Sequence, residues 1–357
     1  MTRRIPGDQV EENLELLGLS VEVTYLDAPQ WIRRVFRGGL GLRLSYVAWQ
    51  RQLRRVARHL HAQKPFDVVH HVTFGSIWLP VGLAVVPAPL VIGPAGGGPR
   101  IPIRLWSALG ARGALSEALR RGAQIVNGAN PAVRRGWRKA TVILVQNTET
   151  REALPARFRS KCRIRHHATA SLAAELPSRP GGKRVIFAGR LVPWKGALLA
   201  VEALEYLPGW HLTIVGSGPD EQRIRNAIRA ASLDEQATLV PWLERPELHR
   251  LISQCDVTVV PSLRDDSPFI VAEAQTLGVP VAGFAQGGMR TFAELRGTRI
   301  ELAALSGNAT TLAQKLAEAV LKASEDRPPE DPAHAFGIAT IAEELNGLYR
   351  GVARRDS

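Results

Sequence analysis

Two carboxylates eight positions apart stand in the most distinctive stretch of the chain, residues 257–283. This stretch has the pattern of a buried strand, a polar loop carrying Asp265, a short helix carrying Glu273, and a second strand. Carboxylate oxygens above the carboxyl ends of parallel strands are well placed to accept hydrogen bonds from vicinal hydroxyls. The alternative is that Asp265 and Asp266 are solvated loop or capping residues and that Glu273 faces water.

A pair of cations follows an earlier apolar strand, in residues 185–196. Arg190 and Lys195 stand five positions apart, a pairing that suits the two phosphoryl groups of a diphosphate. Gly189 and Gly196 beside them would let the backbone approach such a ligand closely.

The pattern of residues 211–231 predicts a strand, a glycine turn and a helix that begins near Pro219. Gly216 and Gly218 alone are weak evidence for phosphate binding. The third glycine of the dinucleotide-binding fingerprint is missing at position 221. A dehydrogenase is therefore disfavoured.

The three stretches, in the order G-R-L-x-x-x-K-G, G-x-G-P and D-x7-E with A-x4-G-x-P-V, resemble one known domain. It is the C-terminal domain of the retaining, nucleotide-sugar-dependent glycosyltransferases of family four, which have the GT-B fold. The resemblance covers essentially residues 20–357. It implies that Glu273 binds the nucleotide ribose, that Arg190 and Lys195 clamp the diphosphate, and that Asp265 approaches the donor sugar. It implies a catalytic set and a donor-binding set: catalytic Asp265, Glu273, Lys195 and Arg190; donor-binding Gly189, Arg190, Lys195, Gly216, Gly218, Asp265, Ser267, Phe269, Ile270 and Glu273.

The chain departs from the family pattern near the first carboxylate. Asp265 stands where a longer Glu is usual, and Ser267-Pro268 stand where small glycines are common. Pro268 also removes one backbone donor. The resemblance further implies that no metal or other cofactor is needed, because Arg190 and Lys195 neutralise the leaving diphosphate.

The first half of the chain offers candidates for the acceptor side. Residues 66–76 predict a strand that leads into a loop with His70 and His71. A histidine at that strand end could hydrogen-bond a phosphate or transfer a proton. Because side chains alternate along a strand, one of the two points inward. The position nearer the loop favours His71 as the functional one.

A strand at residues 89–95 is followed by Gly96, Gly97 and Gly98 and then by Arg100. Three glycines allow backbone N–H groups to face an anion, with Arg100 close enough to help. A flexible turn without a ligand is the alternative. With HHVTFGS before it and ILVQNTET (143–150) after it, this segment resembles an exopolysaccharide-type subgroup of the same family.

Charge is unevenly distributed along the chain. Residues 1–165 contain 26 Lys and Arg against 10 Asp and Glu, a net charge of +16, and the remainder contains 20 against 23. A basic first half calls for an anionic partner such as an acidic bilayer, a lipid-phosphate acceptor or nucleic acid. No RNA-binding motif supports the last. The two cysteines, Cys162 and Cys255, suggest neither a disulfide framework nor a zinc site and fit a reducing cytoplasm.

Residues 31–61 combine apolar positions at helical spacing with eight arginines, and Gly38, Gly39 and Gly41 would divide them into two helices. A basic amphipathic segment with tryptophans can lie on an anionic membrane surface. An ordinary surface helix packed on a sheet is the equal alternative.

The predicted fold is α/β: two Rossmann-like domains that face each other across a cleft, as in GT-B. The predicted divisions are an N-terminal acceptor-side domain at 1–165, a linker at 166–183, a nucleotide-sugar-binding domain at 184–335 and a returning helix at 336–357. Residues 1–19 predict a turn and a short helix, and 21–27 an alternating strand. Members of the resembled subgroup begin with a strand and a Gly-rich loop before this point. We therefore expect an incomplete N-terminal domain, low stability there and little transferase activity.

Overall fold

The computed structural model describes residues 21–26, 38–72, 74–170, 182–325 and 336–354. They form two separate parallel sheets with helices packed on them. The first sheet has four strands in the order β1-β2-β3-β4 and the second has six in the order β10-β9-β8-β5-β6-β7. The strands of the first sheet are β1 (Val69–His71), β2 (Leu90–Ala95), β3 (Ala140–Val145) and β4 (Cys162–Ile164).

The apolar runs of β2 and β3 form strands that are buried on both faces, as parallel sheets require. Alternate residues enter different clusters. Leu90 and Ile143 pack with residues of helices α1 (Gly38–Gln63) and α3 (Pro131–Lys139). The residues of β2 and β3 whose side chains point to the opposite face of the sheet pack against the C-terminal helix, α12 (Ile338–Ala353). The first sheet is thus closed on one face by the end of the chain.

The second sheet is wound in two directions from its centre. From β5 (Arg184–Ala188), the chain first builds β6 (His211–Val215) and β7 (Ala237–Val240) on one side. It then returns to pair β8 (Val257–Val260) with the other edge of β5, followed by β9 (Val281–Phe284) and β10 (Ile300–Ala303). The order therefore reverses between β5 and β8. In such sheets, ligands bind at the carboxyl ends of the two strands where the order reverses.

Helices cover both faces of the second sheet. Their bounds, with those of the remaining helices, are α2 (Gly110–Ala129), α4 (Thr148–Ala153), α5 (Ala156–Arg159), α6 (Ala197–Leu204), α7 (Glu221–Ala230), α8 (Arg245–Ser253), α9 (Phe269–Thr276), α10 (Gly287–Ala293) and α11 (Ala309–Glu325). Helices α6, α7 and α11 share one apolar cluster, which also receives Ile101, Leu105 and Leu109 from the first half of the chain. Helices α8, α9 and α10 pack in the cluster on the opposite face, together with Phe336.

Two local predictions in the first half are wrong. The strand expected at 21–27 is absent over 21–26, where the backbone is irregular and largely exposed, because these residues pair with no strand of the described chain. The apolar run at 141–147, which the sequence predicts as the last strand of the first domain, is followed by one more strand, since β4 pairs in parallel beside β3. Helix α1 begins at Gly38 and contains Gly39 and Gly41, while residues 31–37 of the predicted two-helix segment lie outside the described residues.

Other sequence predictions fall outside the described residues. The turn and helix expected at 1–19, the start of the basic segment at 31–37 and most of the predicted linker, 171–181, are among them. None of the described helices combines the length and apolar character needed to cross a bilayer.

Candidate functional site

A cavity of about 520 Å³ opens at the carboxyl ends of β5 and β8, where the strand order reverses. It gathers nearly the whole predicted donor-binding set. The predicted residues that line it are Gly189, Arg190, Lys195, Gly216, Asp265, Ser267, Phe269, Ile270 and Glu273. Because these residues come from the ends of three parallel strands, the sheet brings together what the sequence keeps apart.

We call this 520 Å³ cavity the donor cavity. Its two predicted cations, Arg190 and Lys195, differ in their contacts. Arg190 is exposed and, among the described residues, forms no ion pair. Lys195 ends a short 3-10 helix after β5, and its Nζ contacts the Asp265 carboxylate directly. Asp265 is held from behind, where its backbone N–H donates to Gln286 Oε1 at 3.1 Å. The predicted diphosphate cation and the predicted sugar-facing acid therefore neutralise each other.

Gly216 and Gly218 have a packing role that follows from their geometry. A Cβ on Gly216 would lie 1.9 Å from the carbonyl oxygen of Gly189, and one on Gly218 would lie 2.3 Å from that of Leu191. The turn after β6 thus passes against the loop after β5, which only glycine permits. Gly216 lines the donor cavity, whereas Gly218 lies behind it.

Glu273 is 8% exposed on α9 and faces the donor cavity, so the interpretation that it faces water is wrong. Its Oε1 lies 3.5 Å from Arg245 Nε and 3.8 Å from His249 Nε2. Both partners come from α8. The neighbouring Trp242 is 65% exposed on the rim of the same cavity.

The triple-glycine loop binds an anion of the protein itself. Gly96 N–H donates to Gly75 O at 2.6 Å, Gly97 N–H to Asp266 Oδ1 at 2.7 Å, and Gly98 N–H to Thr150 Oγ1 at 3.1 Å. A Cβ on Gly96 would lie 2.3 Å from Asp266 Cγ. The prediction that these three N–H groups face an external anion is therefore wrong, because internal acceptors already occupy them.

Asp266, interpreted from the sequence as a loop or capping residue, joins the two halves of the chain. Asn147 Nδ2 donates to its backbone oxygen at 2.9 Å and to its Oδ1 at 3.3 Å. Burial raises the pKa of Asp266, although the Gly97 and Asn147 hydrogen bonds act in the opposite direction. Nearby, Glu149 Oε1 accepts from Gly287 N–H at 2.9 Å, a second bond between the halves.

Neither His70 nor His71 lines the donor cavity. His71 is 4% exposed, and its Nε2 lies 3.3 Å from Tyr46 Oη. Burial, assisted by the charge of His70, lowers the pKa of His71 to about 4. His70 is the less buried of the two, but its ring nitrogens contact Tyr349 Oη and Gly93 O, both at 2.7 Å. Both rings support the fold, and the predicted helper Arg100 is exposed away from the donor cavity.

His167 is a donor-cavity residue that the sequence interpretation missed. Its ring packs edge-to-face on Phe269 with 4.8 Å between centroids, and its Nδ1 is buried without a hydrogen-bond partner. Burial lowers the pKa of His167, although Asp266 and Asp265 act to raise it. The only sequence signal is the pair His166-His167 directly after β4.

A second cavity, of about 720 Å³, lies on the other side of Asp266, which lines both. Its walls come mainly from α1, α2 and the loop between β1 and β2, and they contain aromatic and cationic side chains. The lining residues used below are Tyr46, Val47, Gln50, Arg51, Arg54, Phe74, Trp78, Gly97, Arg120, Gln124, Arg264 and Asp266. Of the predicted acceptor-side residues, Gly97 lies in this lining.

Arg120 and Arg264 at the floor of this second cavity share one acid. Glu117 is 2% exposed; its Oε1 lies 2.8 Å from Arg120 Nη2 and its Oε2 lies 3.0 Å from Arg264 Nε. Burial alone would raise the pKa of Glu117, but Arg120, Arg264 and Arg121 outweigh it and hold that pKa below its usual value. Since Glu117 lies on α2 and Arg264 follows β8, this pair also joins the two halves.

Residues 170–339 match the family model of the glycosyl transferases group 1. The 2-deoxystreptamine N-acetyl-D-glucosaminyltransferase of Streptomyces fradiae is 28% identical over 190 residues, which are 49% of this chain and 44% of that enzyme. The D-inositol 3-phosphate glycosyltransferase of Mycobacteroides abscessus is 34% identical over 34% of this chain and 28% of its own length. The chain thus aligns with less than half of these two curated relatives.

Solved structures share the arrangement of most of the chain. HepE of Anabaena, in complex with UDP and glucose, superposes with a TM-score of 0.58 at 17% identity, covering 96% of this chain and 89% of HepE. The lipopolysaccharide outer core galactosyltransferase WaaB superposes with a TM-score of 0.60 at 12% identity, covering 86% and 82%. With two Rossmann-like sheets and these neighbours, the chain has the GT-B fold, and its residues 170–339 match the glycosyl transferases group 1 family.

Proposed function

We propose that this protein is a glycosyltransferase that moves a sugar from a nucleoside-diphosphate sugar to an acceptor hydroxyl, with retention at the anomeric carbon. One observation carries the proposal. The donor cavity at the β5/β8 reversal brings together Arg190, Lys195, Asp265 and Glu273 from separate parts of the chain. The match to group 1 glycosyl transferases over residues 170–339 supports it, as do neighbours solved with UDP and UDP-glucose.

The donor would occupy the cavity with its polar groups on these side chains. Glu273, steadied by Arg245 and His249, is placed to accept hydrogen bonds from the ribose hydroxyls. Trp242 offers an exposed aromatic face to the base. Arg190 takes one phosphoryl group, and Lys195 takes the other by exchanging its Asp265 contact for phosphate.

Catalysis then rests on position and charge. Arg190 and Lys195 stabilise the negative charge that develops on the leaving diphosphate, in the role that a metal ion has in other transferases. Asp265, released from Lys195, faces the donor sugar. The acceptor hydroxyl approaches from the second cavity, and a departing phosphate oxygen takes its proton on the same face. The transfer would serve polysaccharide, glycolipid or glycoconjugate biosynthesis.

Binding of UDP to variants tests this assignment. Lys195→Ala and Glu273→Gln each remove a charge-assisted hydrogen bond, so each should weaken binding by roughly 1.5–3 kcal/mol, tenfold or more. Isothermal titration measures the affinity, with Lys322→Ala and Glu318→Gln on the exposed face of α11 as matched controls. Parent-like affinity in both cavity variants would show that the donor site is elsewhere.

Two alternatives are separated by further measurements. A non-catalytic nucleotide-sugar-binding relative would bind UDP-sugars in a thermal-shift panel and release no UDP with any acceptor. An RNA-binding protein would retain a nucleic-acid absorbance signal until nuclease treatment and would bind no nucleotide sugar. We further propose a cytoplasmic protein that associates with an anionic membrane face through α1, where Arg55 and Arg58 are exposed.

A further inference from the structure

The second cavity contains buried polar groups that have no partner. Gln50 on α1 is 2% exposed; its Oε1 accepts from Gly82 N–H, while its Nε2 has no hydrogen-bond partner. Arg54 lies one turn further along α1, and its Nε is also buried without a partner. Because an unpaired buried donor costs free energy, two such donors on one cavity wall indicate a ligand that accepts hydrogen bonds.

The same wall carries positive charge that the described chain leaves uncompensated. Arg51 and Arg54 stand three positions apart on α1 and therefore on one helix face, toward the cavity. Neither forms an ion pair within the described residues, in contrast to Arg120 and Arg264, which share Glu117. The positive charge that a ligand can pair with thus lies on the α1 wall of the second cavity rather than at its floor.

Apolar surface accompanies these cations. Val47, one turn before Arg51, is 39% exposed, and Phe74 on the facing loop is 52% exposed. Tyr46 stacks edge-to-face on Phe74 with 4.7 Å between centroids. Large side chains exposed at a cavity entrance contact the apolar part of a ligand more favourably than they contact water.

We propose that the second cavity binds a phosphorylated acceptor, with its phosphate on Arg51 and Arg54 and an adjoining apolar portion against Val47 and Phe74. This inference rests on the proposed function, because Asp266 separates this cavity from the donor cavity by a single side chain. A phosphate has oxygen acceptors for Gln50 Nε2 and for both guanidinium groups. The acceptor hydroxyl would then lie toward Asp266, the end nearest the donor.

Binding of hexyl phosphate to the full chain tests the proposal by isothermal titration. We expect it to bind more tightly than inorganic phosphate, which lacks the apolar part, and than hexanol, which lacks the charge. The double variant Arg51→Gln/Arg54→Gln should lose roughly tenfold or more in affinity. Arg135→Gln/Arg138→Gln removes the same two charges from exposed positions on α3 that are absent from the cavity wall, and should bind like the parent.

Vesicles separate the two sources of such a phosphate. Binding to phosphatidic acid in phosphatidylcholine vesicles, lost in the double variant and kept in Arg135→Gln/Arg138→Gln, supports a lipid-borne acceptor. Binding of soluble hexyl phosphate without vesicle binding supports a free phosphorylated acceptor. Hexyl phosphate that binds no better than hexanol, or an equal loss in Arg135→Gln/Arg138→Gln, overturns the proposal.

Titration of UDP into the same variants shows whether a failure concerns the phosphorylated acceptor or the donor site. UDP binding that persists while hexyl phosphate fails overturns the phosphorylated acceptor alone. Hexyl phosphate binding in a chain that binds no nucleotide overturns the acceptor role and the proposed function together.

Discussion

The two cavities that meet at Asp266 differ in how their charges are compensated. In the donor cavity, Lys195 contacts Asp265, and Glu273 lies beside Arg245. In the second cavity, the floor is balanced by Glu117, while Arg51 and Arg54 on the wall have no acid partner in the described chain. A ligand of the donor cavity must therefore exchange an existing ion pair, whereas an anion in the second cavity meets free cations.

This difference bears on selectivity. An exchanged ion pair returns less net free energy than a contact with an unpaired cation, because part of the new contact replaces an old one. Tight binding in the donor cavity then requires several groups of the ligand to be matched together: base, ribose, diphosphate and sugar. The second cavity can bind on charge and apolar contact alone, which is consistent with acceptors of varied structure.

The largest effect is expected from removing the charge of Glu117. Arg120 and Arg264 at the floor of the second cavity would then have no acid partner, like Arg51 and Arg54 on its wall in the described chain. Glu117→Gln leaves three arginines around a buried neutral side chain, and loss of one member of a buried ion pair typically costs about 3–5 kcal/mol. Urea unfolding measures the loss. Glu221→Gln breaks the exposed pair with Arg225 and should cost less than about 1 kcal/mol. Equal losses in both variants would contradict a structural role for Glu117.

The donor cavity was largely predictable from the sequence, and the second cavity was not. Arg190, Asp265 and Glu273 each follow a recognisable apolar strand, and parallel strands end at the same edge of a sheet. The ion pair between Lys195 and Asp265 was not predictable, since 70 positions separate the two residues. Spacing marks residues that share a sheet edge but does not show which of them contact each other.

Helix α2 shows why the second cavity was missed. Its polar residues Glu117 and Gln124 are buried, while Leu119 and Ile125 are 67% and 74% exposed. Helical periodicity ordinarily places the apolar side inward. Here the inner face lines a polar cavity, so the pattern indicates the wrong side. The triple-glycine loop was misinterpreted for a related reason. The carboxylate that it binds belongs to Asp266, which lies about 170 positions away in the other half of the chain.

Lowering the pH should destabilise the fold next to the second cavity, because a titratable histidine is buried behind the cavity wall. His71 contacts Tyr46, which lines that cavity. Burial lowers the pKa of His71 from 6.5 to about 4, so between those values the unfolded chain binds the proton that the folded chain excludes. The stability is fully present above pH 6.5 and falls as the pH is lowered toward 4, by about 3 kcal/mol.

Urea unfolding at pH 7, 5.5 and 4.5 measures this dependence as the difference between the parent and His71→Gln. We expect the variant to have the flatter profile, because its amide does not titrate. His59→Gln, at an exposed position on α1, should follow the parent. Parallel profiles for the parent and His71→Gln would show that His71 does not carry the proton linkage.

The smallest expected effect concerns the ion pair that the donor cavity already contains. Asp265→Asn removes the charge that Lys195 contacts, so the Lys195 ammonium becomes available to a diphosphate without exchange. UDP should bind more tightly by about 1 kcal/mol, roughly fivefold. A UDP-sugar should gain less, because the same substitution weakens the contact proposed for the sugar. Uridine lacks phosphates and should bind as it does to the parent, and so should hexyl phosphate in the second cavity. If Asp265→Asn instead weakens UDP binding, the acid helps to hold the diphosphate, and the donor cavity is not limited by exchange as proposed.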